Sequence, residues 1–196
     1  TLRASLRTAN VPFRLHWKKN RLKPKLAIIC AVSTSMRPAA EFLLRLMYEM
    51  QDHVAKARSF AFINVMHEVS DEFVARRAHD AIPAVLHGIP SGYYNTDLGR
   101  ALEDFCGRFL DATDRRTTVL LLGDGRNNYN NPRLDLIEQI KGRSRKFIWF
   151  NPEPRALWGS GDSDMLDYLP LMDSVRQVSN LAQLAEAVDE LFTENR

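Results

Sequence analysis

The sequence predicts a doubly wound α/β fold: a mostly parallel six-stranded sheet with helices on both faces and one antiparallel edge strand. Two observations carry this. Apolar runs without a polar break, chiefly Leu26 to Val32 and Thr117 to Gly123, have the length and composition of strands buried on both faces. Between such runs lie longer stretches whose apolar residues recur every three or four positions, the spacing of one helical face. Parallel neighbours need crossover helices to bring the chain back, so this alternation gives a parallel sheet rather than a meander.

Taken in order, residues 1–25 form a basic arm with eight Lys or Arg and no acid. From Phe13 to Trp17 the alternation has the period of an edge strand or an extended segment laid on a surface. The first buried strand follows and ends in a hydroxyl-rich loop, Ser33-Thr34-Ser35. Phe42, Leu43, Leu46, Met47, Met50 and Val54 then predict a core-facing helix within 39–57. Ser59 to Val65 reads as a second strand and His67 to Val74 as a third. The short polar link between them predicts a hairpin, with the third strand at the sheet edge. Ala78 to His87 is a weaker helical pattern, ended by Gly88 and Pro90. Next comes a loop of turn formers, Ser91 to Asp97, in which Asn95 or Thr96 is placed to cap the helix marked by Leu98, Ala101, Leu102, Phe105, Phe109 and Leu110.

The strand Thr117 to Gly123 stops at Asp124-Gly125. A helix carrying Leu134, Leu136, Ile137 and Ile140 leads to a strand at Lys146 to Phe150. A long loop holding Trp158 to Asp164 runs up to Pro170. The strand Ser174 to Val178 and a helix with Leu181, Leu184, Ala187, Val188 and Leu191 complete the chain.

A length of 196 residues suits one domain, here 26–196, preceded by the arm. The chain starts at Thr1 rather than Met, with Arg3 and Arg7 in mid-pattern, and is expected to be a piece of a longer polypeptide. No apolar run approaches the roughly 18 residues of a membrane span and no signal-peptide pattern opens the chain, so a soluble protein is expected. Two cysteines, both in apolar patterns, are too few for a disulfide framework and suit a reducing, cytoplasmic compartment. The formal charge of +3 hides an asymmetry: outside the arm, 19 bases face 24 acids, a net −5. A basic arm with aromatics can meet nucleic acid, but the run is short, and a solvated strand or docking onto an acidic neighbour explains it as well.

Three loops lie where an open α/β sheet keeps its ligands, outside the carboxyl ends of its strands. They bring Ser33 and Ser35, Thr96, and Asp124. Hard oxygen donors of this kind suit Mg²⁺, which keeps several of its waters. The plainer reading makes the hydroxyls helix caps and Asp124 a turn carboxylate that accepts backbone N–H groups. Other chemistries lack support. Gly159-Ser160-Gly161 has no third glycine, no Gly-Lys-Ser/Thr exists for a nucleotide, the five histidines show no zinc spacing, and no Gly-x-Ser-x-Gly turn supports a hydrolase.

These residues resemble the von Willebrand factor A domain, whose metal-ion-dependent adhesion site has Asp-x-Ser-x-Ser after the first strand, a Thr in a second loop and an Asp after the fourth strand. The matching positions read Ala31-Val32-Ser33-Thr34-Ser35, then Thr96, then Asp124 in Gly123-Asp124-Gly125. Within that superfamily the chain is most similar to the CoxE-like bacterial group, in Leu6-Arg7-Thr8, in Phe147 to Glu153 and in the Trp158 to Asp164 loop.

The resemblance implies a Rossmann-like fold and a non-enzymatic protein-binding module in which Mg²⁺ or Mn²⁺ is held by Ser33, Ser35, Thr96 and Asp124. An Asp or Glu of a protein partner would complete the cation's shell, with Tyr94, Asn95, Asp97 and Arg126 beside it as partner-binding residues. It also implies a MoxR-type AAA+ ATPase as partner, in the maturation or remodelling of metalloenzymes. One position departs from the pattern. The first Asp is Ala31, which removes a negative charge and an acceptor for metal-bound water, a loss that typically weakens metal binding by roughly ten- to a hundredfold. A natural member that has given up metal and an engineered knockout both fit. Two further readings stay open: a metal-assisted hydrolase using Asp124, and a metal-free interaction scaffold.

Overall fold

The computed structural model describes residues 25–34, 36–51, 54, 56–89 and 96–193. Of the basic arm, only Lys25 lies among them, and it opens the first strand, β1 (Lys25–Ala31). The chain continues through α1 (Arg37–Gln51), β2 (Lys56–Phe62), β3 (Met66–Glu68), α2 (Ser70–Ala75), α3 (Ala78–Gly88) and α4 (Leu98–Arg108). It then runs through β4 (Thr117–Leu122), α5 (Leu134–Arg143), β5 (Lys146–Asn151), the single turn α6 (Met165–Tyr168), β6 (Ser174–Gln177) and α7 (Leu181–Thr193).

The six strands form one sheet in the order β3-β2-β1-β4-β5-β6. Every pairing is parallel except β2 with β3. The chain winds outward from β1 to one edge and then, from β4, outward to the other. The reversal falls between β1 and β4, which opens a crevice outside their carboxyl ends, where Ser33 and Asp124 follow the two strands. The register brings the ends level: Cys30 lies opposite Leu122 and Ala31 opposite Phe62.

Burial on both faces explains the unbroken apolar runs. Ile28, Ile29, Leu120, Leu121, Phe147 and Trp149 are closed to solvent apart from traces. The helices contribute their predicted stripes: Leu43, Leu46, Met47 and Met50 on α1, Ala101, Leu102 and Phe105 on α4, Ile137 and Ile140 on α5, and Leu184, Val188 and Leu191 on α7. Phe105 meets Phe60 edge-to-face at 5.1 Å, which fixes α4 against β2 by the preferred geometry of an aromatic pair.

The hairpin forms as predicted, with β3 at the edge, but the strand read over His67 to Val74 does not. β3 ends at Glu68, and the chain turns helical at Ser70. The reason is a side chain that takes over the ladder. Val69 N–H donates to the Ser59 carbonyl at 2.8 Å, and the Ser59 N–H is then taken by the Ser70 hydroxyl at 2.9 Å instead of a further strand carbonyl. With Asp71 and Glu72 in the following turn, the chain begins a helix where its acids meet free N–H groups. β2 also starts three residues earlier than the apolar run, because Lys56, Ala57 and Arg58 pair with β1 while remaining accessible on one side.

Candidate functional site

The candidate site is assembled by backbone placement first. β1 and β4 run side by side, and an added Cβ on Gly123 would stand 3.3 Å from the Cβ of Ala31, so position 31 and the Asp124 turn are direct neighbours. Gly123 and Asp124 are held from the β5 side. Trp149 Nε1 donates to the Gly123 carbonyl at 2.8 Å, and the fully buried Asn151 donates from Nδ2 to the Asp124 carbonyl at 2.9 Å. Ser33 and Asp124 are both buried, although each ends a strand in a polar loop. The Asp124 carboxylate accepts the Arg126 N–H at 3.1 Å, the turn arrangement expected of a carboxylate that closes a strand.

Thr96 is brought to the same edge from a distant part of the chain. Asp97 N–H donates to the Ile63 carbonyl just beyond β2, and Val32 N–H donates to Phe62, so both segments finish against the same strand. The Thr96 carbonyl accepts the side-chain amides of Asn128 at 2.9 Å and Asn130 at 3.3 Å. The loop after β4 thus grips the loop before α4. The cap of α4 differs from expectation: Asp97, not Asn95 or Thr96, is the capping residue, accepting Arg100 N–H at 2.8 Å. The Leu98 N–H is satisfied by Asn127 Oδ1 at 2.8 Å, from another loop. This leaves Thr96 one residue short of the cap, with its carbonyl rather than its hydroxyl engaged in holding the loops.

Of the remaining expected site residues, Ser35, Tyr94 and Asn95 lie outside the described residues. Arg126 is present and already engaged. Its Nε donates to Glu153 at 2.8 Å and its Nη1 to Asp162 at 2.6 Å, and these two carboxylates, Glu153 first, hold the guanidinium charged above its ordinary range. Asp97 spends one oxygen on its cap. Among the described residues, no three His, Cys, Asp or Glu side chains gather into a metal-ion cluster. The expected site residues that are described bring the Ser33 and Thr96 hydroxyls and the Asp124 carboxylate.

Several residues that brace these loops were not among the expected site residues: Asn127 and Asn130, and Asn151, Glu153 and Asp164, which lie in the stretches that carry the family resemblance. The density of asparagine between Asn127 and Asn131 was the available signal, since side-chain amides serve loops that must satisfy their own backbone. The loop from Trp158 to Asp164 folds back on Gly125 to Asn127. Asp164 N–H donates to the Gly125 carbonyl at 3.0 Å, and Asn127 N–H to the Asp162 carbonyl at 3.0 Å. Gly125, at φ 78°, is required at that contact: a Cβ would stand 3.1 Å from Met165 in a conformation that disfavours any L side chain.

A sequence profile for the family described as VWA domain containing CoxE-like protein matches residues 1–186. The chain belongs to this family. Such CoxE-like VWA domains are typically non-catalytic adaptor modules, an architecture suited to protein interaction. Comparison with curated proteins found no match.

Similar solved structures include a von Willebrand factor type A protein from Catenulispora acidiphila, with TM-score 0.58 and 18% identity over 86% of this chain. This chain spans 42% of that protein's length. BatB from Bacteroides thetaiotaomicron is similar at TM-score 0.58 and 12% identity, over 87% of this chain and 98% of the other. An aerotolerance-related membrane protein from Bacteroides fragilis gives TM-score 0.54 and 14% identity, over 85% and 97%. At these identities the likeness establishes the VWA fold. No helix of the described residues is long and apolar enough to cross a membrane.

Proposed function

We propose that this CoxE-like VWA domain is a protein-binding adaptor whose carboxyl-edge crevice engages an acidic side chain of a partner through a weakly held divalent cation. The observation that carries the reading is the convergence of three separate loops on the β1–β4 switch point, with Ser33, Thr96 and Asp124 on them and Ala31 beside Gly123. Buried oxygens at that point match what Mg²⁺ or Mn²⁺ takes, and one carboxylate with a few hydroxyls leaves coordination positions for water and a partner's Asp or Glu. Ser33, Ser35, Thr96 and Asp124 are the ligands in this reading, and the cation supplies the positive charge that an acidic partner needs. In the same reading, Tyr94, Asn95, Asp97 and Arg126 are the residues that meet the partner. Family membership supports a MoxR-type AAA+ ATPase as the working partner, with metalloenzyme maturation or remodelling as the task.

Ala31 sets the affinity. A carboxylate at that position would lie beside Gly123, add a second negative charge and accept hydrogen bonds from metal-bound water. Calorimetric titration of Mg²⁺ into the parent chain and into Ala31→Asp tests this, with roughly ten- to a hundredfold tighter binding expected for the variant. Equal affinities in the two forms would remove position 31 from the site. A metal-free scaffold is the second reading, favoured by the Asn128 and Asn130 bonds to Thr96, which join the loops without a cation. It predicts that neither form binds Mg²⁺ and that partner binding survives chelation.

A further inference from the structure

Asn127 is wholly buried, and both ends of its amide are engaged with different loops. Oδ1 accepts the first N–H of α4, at Leu98, at 2.8 Å. Nδ2 donates to the Asn130 carbonyl at 2.9 Å and to Asp164 Oδ2 at 3.0 Å. The Asn127 carbonyl in turn accepts both the N–H and the side-chain amide of Asn130, at 3.0 and 2.8 Å. Asn130 and its neighbour Asn128 are the residues that hold the Thr96 carbonyl.

The chemistry at the two ends of Asn127 is opposite. One end must accept an N–H, while the other must donate to a carbonyl and a carboxylate at once, and a primary carboxamide supplies both. An aspartate there would set a second carboxylate about 3 Å from Asp164 inside the protein, where two such groups cannot both stay ionised. An alanine would leave a buried N–H unanswered.

We propose that Asn127 and Asp164 are positioning residues of the crevice. Their hydrogen bond fixes the loop after β5 to the N-terminus of α4, so the Trp158 to Asp164 loop sets where Thr96 stands without donating a ligand of its own. In its metal readout alone, this rests on the cation-assisted reading above.

The test uses two measurements on the intact chain. Protection of the Leu98 amide against hydrogen exchange is read without metal, and Mg²⁺ affinity is read by calorimetry in the Ala31→Asp background. Asp164→Ala is expected to lower Leu98 protection about tenfold, the worth of one such bond, and to weaken Mg²⁺ binding, whereas Asp164→Asn, which keeps an oxygen acceptor, stays near the parent. Asn127→Asp supplies the readout that a packing role would not move. It loses protection at pH 8 and regains it at pH 5, where the new carboxyl and Asp164 share a proton. The other carboxylates of this region, Asp97 and Asp167, act with Asp164 on the Tyr168 phenol, which burial first and these charges next push up from its ordinary value.

Unchanged Leu98 protection in Asp164→Ala overturns the proposal. So does an Asn127→Asp form that is equally unprotected at both pH values. Should Asn127→Asp fail to fold at pH 8, the Asp164 pair of variants decides alone. Should no form bind Mg²⁺, the function proposed above fails while the Leu98 amide still decides this inference.

Discussion

Position 31 and its neighbour Gly123 illustrate how single residues set what the crevice can hold. Any side chain at 123 would press on position 31, so Gly123 is what keeps room for a carboxylate at the end of β1. Gly99 has a harder constraint. A Cβ there would stand 2.0 Å from the Asn131 carbonyl oxygen, a backbone atom that cannot swing aside. Gly99→Ala must therefore push α4 away from the loop that grips Thr96. We expect it to cost about 3 kcal/mol, the upper part of the range for overpacking, read as a lower urea midpoint with unchanged slope. The residues of the crevice divide by how far their partners lie along the chain. Ser33, Thr96 and Asp124 could be picked out because each ends or begins a patterned element. Asn127 could not, because two of its partners, Leu98 and Asp164, are 29 and 37 residues away and nothing local marks which asparagine in a run of polar residues will be buried.

At the scale of elements, long periodic segments were legible and their ends were not. The stripe of α1 and the runs of β1 and β4 follow from burial on one or two faces, which the pattern states directly. The end of β3 does not, because Phe73 and Val74 continue an apolar spacing while the Ser70 hydroxyl, across the hairpin, ends the ladder. α4 begins at Leu98 as expected, but its cap is Asp97 rather than Asn95 or Thr96 for a similar reason, since the tie of Asp97 N–H to Ile63 selects which polar residue becomes the cap. Asp97→Ala should cost about 1 kcal/mol as a lost cap, measured by chemical denaturation, with most of the effect on exchange in the first turn of α4.

The β2–β3 hairpin carries a pH dependence of its own. Arg58 donates from Nε and Nη2 to the two oxygens of Glu68, at 2.8 Å each, and this bond holds the Glu68 carboxyl below its ordinary range. A depressed folded-state value contributes stability above the unfolded value of about 4.3, and that contribution fades as pH falls through the folded value. Glu68→Gln should thus be less stable than the parent at pH 7, and the gap between their denaturation midpoints should close in acid below about pH 4.

For the molecule as a whole, a ligand that binds only the folded state raises stability by mass action. If Ala31→Asp restores the cation, Mg²⁺ at about a hundred times its dissociation constant adds about 2.7 kcal/mol, which for a chain of this size raises Tm by about 5 to 10 °C. The parent at the same Mg²⁺ concentration should move far less, and chelator should return each form to its own metal-free value. Scanning calorimetry with and without chelator reads this directly, and a rise of equal size in both forms would place the cation away from position 31.

The sheet has one more consequence, set by its two ends. β3 offers three residues along one edge and β6 four along the other, and β6 carries Arg176, which is paired with Glu190 of α7. An edge strand is a template on which another chain can extend the sheet, and short, charged edges blunt it. Among the described residues, these two edges therefore offer few rungs on which a second copy could extend the sheet.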